Sequence, residues 1–196
     1  MSEPLARSAG NALEVHEAIA MLRGETSDPR LLEVTLALGQ EVMLLGKLAK
    51  DAKSARSLLT RSITSGAAAE RFSLMVASLG GPADFLDRPD AHLAKAAIVV
   101  DVAAARDGVI AAIDTRAVGF AVVTLGGGRI APDHSVDHSV GFDRLLPLGT
   151  AVQKGEPIAR VHASRTAAAE AAAATLSAAF TIGDGPPKAR PLIERI

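Results

Sequence analysis

Residues Gly108–Ala163 read GVIAAIDTRAVGFAVVTLGGGRIAPDHSVDHSVGFDRLLPLGTAVQKGEPIARVHA. Apolar runs at Val109–Ile113 and Ile158–Val161 alternate with glycines, which include the triplet Gly126–Gly128. Short strands that turn on glycine are typical of this pattern. Between them, Thr115–Leu125 has the apolar spacing of a helix. The stretch therefore predicts a compact α+β unit.

The segments on either side complete this unit. Ile98–Val102 is apolar and β-branched, which predicts a first strand. Arg165–Phe180 is rich in alanine, the strongest helix former, and predicts a helix. Phe180–Ile182 predicts a last short strand. The proline-bearing end of the chain predicts an extended tail.

Composition excludes several classes of protein. The 196 residues are 48% hydrophobic, enough for a buried core, and 21 basic residues balance 22 acidic ones. Such a balance lacks the electrostatic signature of a nucleic-acid or membrane-surface partner. The absence of cysteine excludes disulfides and thiolate zinc sites. Because no apolar run approaches the roughly 20 residues of a membrane span and no signal peptide is evident, we expect a cytoplasmic protein.

The chain before residue 80 is predicted to be helical. Asn11–Arg23 has helical spacing, with Asn11 as the expected N-cap and Glu14 placed as in a capping box. Pro29–Leu45 follows Asp28, a second expected cap, and is apolar on more than one side. We therefore expect this helix to be covered on two sides.

Two more helices are predicted, over 52–65 and 67–79, and the glycines and proline at 80–82 end them. Residues 83–95 carry Pro89 and mixed charges, so they are interpreted as a linker with at most one helical turn. This linker is the expected domain boundary.

The candidate chemistry is sparse. His134 and His138 are four residues apart, but Pro132 disfavours the helix that a zinc-binding pair needs. We expect solvated or capping histidines rather than a metal site. The triplet Gly126–Gly128 lacks the lysine and hydroxyl of a phosphate-binding loop, so we expect it to serve a tight turn and close backbone packing.

Several uncommon strings together resemble the thymidine/pyrimidine nucleoside phosphorylase family. They occur in the order of that family and span nearly the whole chain: SAGNALEVHEAI at 8–19, Ile113–Arg129, Asp137–Phe142 and Val152–Ala163. The resemblance implies reversible phosphorolysis of thymidine to thymine and 2-deoxyribose 1-phosphate.

The resemblance also implies a mixed α/β fold in four parts. Residues 1–82 would be the helical remainder of the α/β domain of nucleoside phosphorylases and phosphoribosyltransferases, and 83–95 the linker. Residues 96–183 would be an α+β, hammerhead-like C-terminal domain of pyrimidine nucleoside phosphorylases. Residues 184–196 would form the extended tail.

The family's phosphate-binding and pyrimidine-binding residues precede the segment that matches Met1. The resemblance therefore implies a fragment with no catalytic and no substrate-binding residue of its own, which we expect to be inactive alone. It implies no organic cofactor. In some members K+ is held by two carbonyls and a carboxylate, which correspond to Leu5, Ser8 and Glu17, and by ligands from the missing part. The alternative for Glu17 is an ordinary exposed carboxylate.

Two other classes compete with this interpretation. Gly149–Ala163 also resembles half of a biotinyl or lipoyl carrier domain, but Lys154 is not placed where such domains carry their modified lysine. The second alternative is a non-catalytic scaffold or interaction protein derived from the C-terminal half of a phosphorylase. As partners we expect thymidine and phosphate in the complete enzyme, and further copies of the chain in a homo-oligomer, with no nucleic acid and no membrane.

Overall fold

The computed structural model of the protein describes residues 2–25, 28–185, 187–188 and 191–193. They form two compact units: 2–15 with 93–185 and 187–188, named here the sheet unit, and 16–25 with 28–92 and 191–193, named the helical unit. The predicted mixed α/β class is confirmed. The four predicted domain ranges stay predictions, and residues 186, 189–190 and 194–196 of the predicted tail lie outside the described residues.

The helical unit consists of helices joined by short turns. Helix α1 begins in the sheet unit and continues into the helical unit. The elements are α1 (Asn11–Arg23), α2 (Pro29–Leu45), α3 (Ala52–Thr64), α4 (Ala67–Ser78) and the short α5 (Pro89–His92). All five agree with the predicted positions, including the single turn within the linker. Nowhere in the described ranges is a helix both long and apolar enough to cross a membrane.

The predicted cap of α2 is confirmed, whereas that of α1 is wrong. Asp28 Oδ1 accepts hydrogen bonds from the first free amides of α2, as an N-cap does. Asn11 is instead the first helical residue of α1, and its Nδ2 donates to the carbonyl of Gly127 (3.0 Å). The Gly10 amide donates to Glu14 Oε1 (2.8 Å). The Asn11 side chain is therefore used for a long-range contact, and the cap lies one residue earlier.

Helix α2 is apolar on two opposite sides. Leu36 and Gln40 are buried, and Gly39 lies so close to Leu59 of α3 that a Cβ would be 2.9 Å from its Cδ1 atom. The other side carries the α2 stripe, which we define as Leu38, Val42 and Leu45. Its members are 64%, 66% and 83% exposed. The expectation of burial on both sides is thus met on only one of them.

The sheet unit contains two antiparallel three-stranded sheets and two helices. The elements are β1 (Ile98–Ala103), β2 (Gly108–Ile113), α6 (Thr115–Val122), β3 (Gly141–Asp143), β4 (Ala151–Val152), β5 (Pro157–Ala163), α7 (Thr166–Ala179) and β6 (Phe180–Gly183). One sheet has the order β1-β5-β3 and the other β4-β2-β6. Strands β3 and β4 were not predicted, because two or three residues are too few to show alternation.

The core of the sheet unit lies between these elements. Its largest fully buried side chains are Phe142, Ile110, Ile158, Leu176, Val140 and Val161. Helix α7 contributes Ala169, Ala172, Leu176 and Ala179 at helical spacing. Helix α6 continues as a π-type turn over 123–127, in which Gly126 has a φ of 100°. The glycine triplet therefore serves a tight turn, as predicted.

We expect hydrogen exchange to be slowest within residues 98–163. The amides of β1, β2 and β5 are paired in ladders over a buried core, whereas the helical unit exposes much of its apolar surface. Exchange measured by mass spectrometry or NMR on the whole chain checks this. Slowest amides before residue 80, or uniform protection throughout, would contradict the expectation.

Candidate functional site

Residues 3–12 run along β3, and we name them the N-terminal strap. Ala9 and Phe142 form a two-way bridge, in which the Ala9 amide donates to the Phe142 carbonyl (2.9 Å) and the Phe142 amide donates to the Ala9 carbonyl (2.8 Å). The strap thereby extends the β1-β5-β3 sheet at its β3 edge. Besides the Asn11–Gly127 bond, three further bonds between described residues hold it: Leu145 N–H to the Arg7 carbonyl (3.0 Å), Ala12 N–H to the His138 carbonyl (3.1 Å) and Leu148 N–H to Glu3 Oε2 (3.0 Å).

The predicted cation ligands lie in this strap and in α1. Leu5 is exposed and Ser8 half-buried, and neither belongs to a helix or strand. Glu17 is half-buried in α1, in the part that belongs to the helical unit. Among the described residues, no three His, Cys, Asp or Glu side chains form a group that could hold a metal ion. A site built from two carbonyls and one carboxylate is of a different kind, so the assignment stays a prediction.

A row of charged residues crosses the β1-β5-β3 sheet on the side away from the core. Register places Asp101 of β1 opposite Arg160 of β5, and Arg160 opposite Asp143 of β3. Arg160 Nε donates to Asp143 Oδ1 (2.8 Å), and its Nη2 donates to Oδ2. This two-point contact is the strong geometry for an arginine and a carboxylate. It ties β3 to the central strand.

His162 joins the row next to Asp143. Its Nε2 lies 3.1 Å from Asp143 Oδ1, within ion-pair range but without the alignment of a hydrogen bond. Burial alone would raise the pKa of Asp143, but the contacts and charges of His162 and Arg160 outweigh it and lower the pKa to about 2. Asp143 is therefore ionised at neutral pH. Because its charge is neutralised by its neighbours, the arrangement suits positioning rather than proton transfer.

The sequence interpretation missed this row. The alternation was visible in β5, where Arg160 and His162 occupy every second position between apolar residues. Their partner Asp143 could not be found, since β3 has three residues and pairs with a strand that begins fourteen residues after it ends.

The other residues singled out by sequence are dispersed. The segment that carries His134 and His138 is not helical, as predicted. The Arg116 guanidinium lies 5.4 Å from the centre of the Phe120 ring. Lys154 lies in a turn between β4 and β5, which belong to different sheets, so this turn is not the hairpin tip of a carrier domain.

Comparison with known proteins defines the class of this sheet unit. Residues 109–183 match the family described as the pyrimidine nucleoside phosphorylase C-terminal domain. The matched range runs from β2 to β6 and includes most of the core and the charged residues of β3 and β5.

The whole chain is similar to curated thymidine phosphorylases. It is 49% identical to that of Rhizobium meliloti over 193 residues, which cover 98% of this chain and 44% of the relative. Identity to the enzyme of Mesorhizobium japonicum is 48% over 195 residues, covering 100% and 44%, respectively. The chain belongs to the pyrimidine nucleoside phosphorylase family and corresponds to its C-terminal portion, so the predicted resemblance is confirmed. It spans less than half the length of these relatives.

We expect Asp143→Asn to destabilise the protein at neutral pH and to lose this effect in acid. Because the pKa falls from 3.8 to about 2 on folding, the ionised carboxylate stabilises the fold above pH 4, and this contribution disappears as the pH falls towards 2. The shift corresponds to about 2 kcal/mol in the free energy of unfolding. Urea denaturation of both proteins across this pH range measures it.

The matched control is Asp101→Asn, because Asp101 flanks the same arginine but is exposed. Its effect should be much smaller, as for other exposed ion pairs. Equal losses in the two variants, or a loss that does not change with pH, would contradict a specific role for Asp143.

Proposed function

We propose that this chain supplies the C-terminal part of a thymidine phosphorylase. The observation that carries the proposal is 49% identity over 98% of the chain to an enzyme of that name. Identity at this level spans both the helical unit and the sheet unit. The alternative, a non-catalytic scaffold derived from such an enzyme, differs from it in one testable respect, the ability to complete an active enzyme.

The proposed substrates are thymidine and phosphate. In the complete enzyme, phosphate would attack C1′ of the deoxyribose and form the bond to oxygen as the C1′–N1 bond to thymine breaks and the base takes the electron pair. Catalysis of such a displacement depends on holding the reactants in line and on donors aimed at the leaving base. By the family resemblance, those donors lie in the part of the family that this chain does not span. The chain would contribute the support for that site.

We further propose K+ as the inorganic ligand of the complete enzyme, with no organic cofactor. The carbonyls of Leu5 and Ser8 and the carboxylate of Glu17 would contribute to its binding. Oxygen donors of these kinds suit hard cations. The strap supports the assignment, since it holds Ser8 in an ordered, non-helical segment. Bound K+ would supply a positive charge that orders the oxygen atoms around it.

The proposed state is a cytoplasmic homo-oligomer. The α2 stripe carries three large apolar side chains that are more than half exposed, and apolar surface on this scale commonly marks an interface. A second copy of the chain is the proposed partner.

We expect the chain alone to release no thymine from thymidine and phosphate. Mixing it with the remaining N-terminal part of the Rhizobium meliloti enzyme should restore turnover, because the two pieces would together cover the length of an active relative. Thymine release is followed by absorbance. The control is the same N-terminal part without this chain.

Turnover by the chain alone that follows it through purification would contradict the proposal. Substitution of Arg116, Arg129 and His138 one at a time would then locate the unrecognised site. Failure to restore turnover, with both pieces folded and associated, would favour the scaffold alternative.

We expect the double substitution Leu38→Ser and Val42→Ser to weaken self-association. Removing two apolar side chains from the α2 stripe lowers the apolar area that association can bury. Sedimentation velocity at several concentrations measures the change. The control is Leu79→Ser, which removes a leucine just after α4 that is even more exposed than Leu38 and Val42. A wild-type chain that stays monomeric at high concentration would contradict a homo-oligomer.

A further inference from the structure

The strap and β3 approach each other through two glycines. A Cβ atom on Gly141 would lie 2.3 Å from the Ala9 carbonyl oxygen, and one on Gly10 would lie 2.6 Å from the Val140 carbonyl oxygen. Both distances are far below any normal contact. Gly10 and Gly141 also have φ angles of 141° and 148°, which other residues rarely adopt. Only glycine at both positions allows this crossing.

The crossing determines which way the strap carbonyls face. The carbonyls of Arg7 and Ala9 both accept hydrogen bonds from residues 142 and 145, on the β3 side. Along an extended segment successive carbonyls point in opposite directions. The Ser8 carbonyl, which lies between them, is therefore directed away from β3. A slip of one residue in this register would reverse it.

Strand β3 is itself held from its other edge. It pairs with β5 over Gly141, Phe142 and Asp143, and the Asp143–Arg160 ion pair reinforces this pairing. Phe142 is fully buried in the core. The strap is therefore attached to a strand that cannot shift without disrupting the sheet.

We propose that Gly10 and Gly141 are positioning residues for the cation site, and that the C-terminal domain thereby sets the direction of the Ser8 carbonyl. This inference rests on the K+ ligands proposed above. It adds that the strap pre-orients the Ser8 carbonyl within the chain itself. The chain alone therefore binds K+, but only weakly, because the ligands of the missing part are absent. The two glycines do not touch the cation and act through the backbone of residues 7–9.

The test compares Gly141→Ala with Gly108→Ala. Gly108 has a φ of 150°, and a Cβ there would lie 2.4 Å from the Gly183 carbonyl oxygen. Gly108→Ala thus introduces the same kind of strain in the same unit, but at the β2–β6 pair rather than at the strap. The Ser8 carbonyl carbon shift is followed by NMR during titration of the whole chain with KCl, and with choline chloride as the ionic-strength control. Exchange of the Ala9 and Ala12 amides reports on the strap independently of K+.

The wild-type chain and Gly108→Ala should show a K+-specific shift at Ser8, and Gly141→Ala should weaken the affinity at least about tenfold, as loss of a supporting residue does. Exchange at Ala9 and Ala12 should rise only in Gly141→Ala. Should Gly141→Ala fail to fold, Gly10→Ala places the clash on the strap and leaves the domain sequence intact. If Gly141→Ala or Gly10→Ala folds and its K+ response is unchanged, the positioning role of the glycines is wrong, whereas the proposed K+ site stands. No K+-specific shift in the wild-type chain would overturn this inference but not the K+ site of the complete enzyme, which the same titration of the chain mixed with the N-terminal part tests separately.

Discussion

The contact between Gly10 and Gly141 is the constraint on which the rest of this structure depends. Two backbones meet there at a distance that excludes a Cβ on either, and the Ala9–Phe142 bridge lies directly beside them. Because the strap ends in the first turn of α1, this contact connects the C-terminal domain with a segment more than 120 residues earlier in the sequence. The sheet unit is therefore formed by the domain and the strap together.

The charged row on the outer side of the β1-β5-β3 sheet complements this contact. Arg160 and His162 hold Asp143 at one edge of β3, while the strap occupies the other. Partly buried ion pairs contribute little when their desolvation is large, but removing one partner is costly. Such a row is suited to fixing the position of a short strand. In this family member, the buried Phe142 and the ionised Asp143 thus hold the same three-residue strand from its two faces.

Much of the fold followed from local pattern. Asp28 before Pro29 predicted the start of α2, and the alanine-rich segment predicted α7, because capping and propensity act over a few residues. The strap and β3 could not be predicted, since each depends on a partner far away in sequence and neither shows periodicity. The same reason explains Asn11, whose side chain contacts Gly127 instead of capping α1. The family was predictable because its strings are uncommon, whereas the Leu5, Ser8 and Glu17 ligand set remains a prediction.

The most direct test of this account is the proton distance between the two glycines. In the NMR spectrum of the full chain, the α-protons of Gly10 and Gly141 should give a strong nuclear Overhauser cross-peak, because a Cβ built on either would lie 2.9 Å from the Cα of the other. The Ala9 and Phe142 amides should be protected at the same time. Assigned α-proton resonances without this cross-peak, together with fast exchange at Ala9, would contradict the crossing and the positioning role inferred from it.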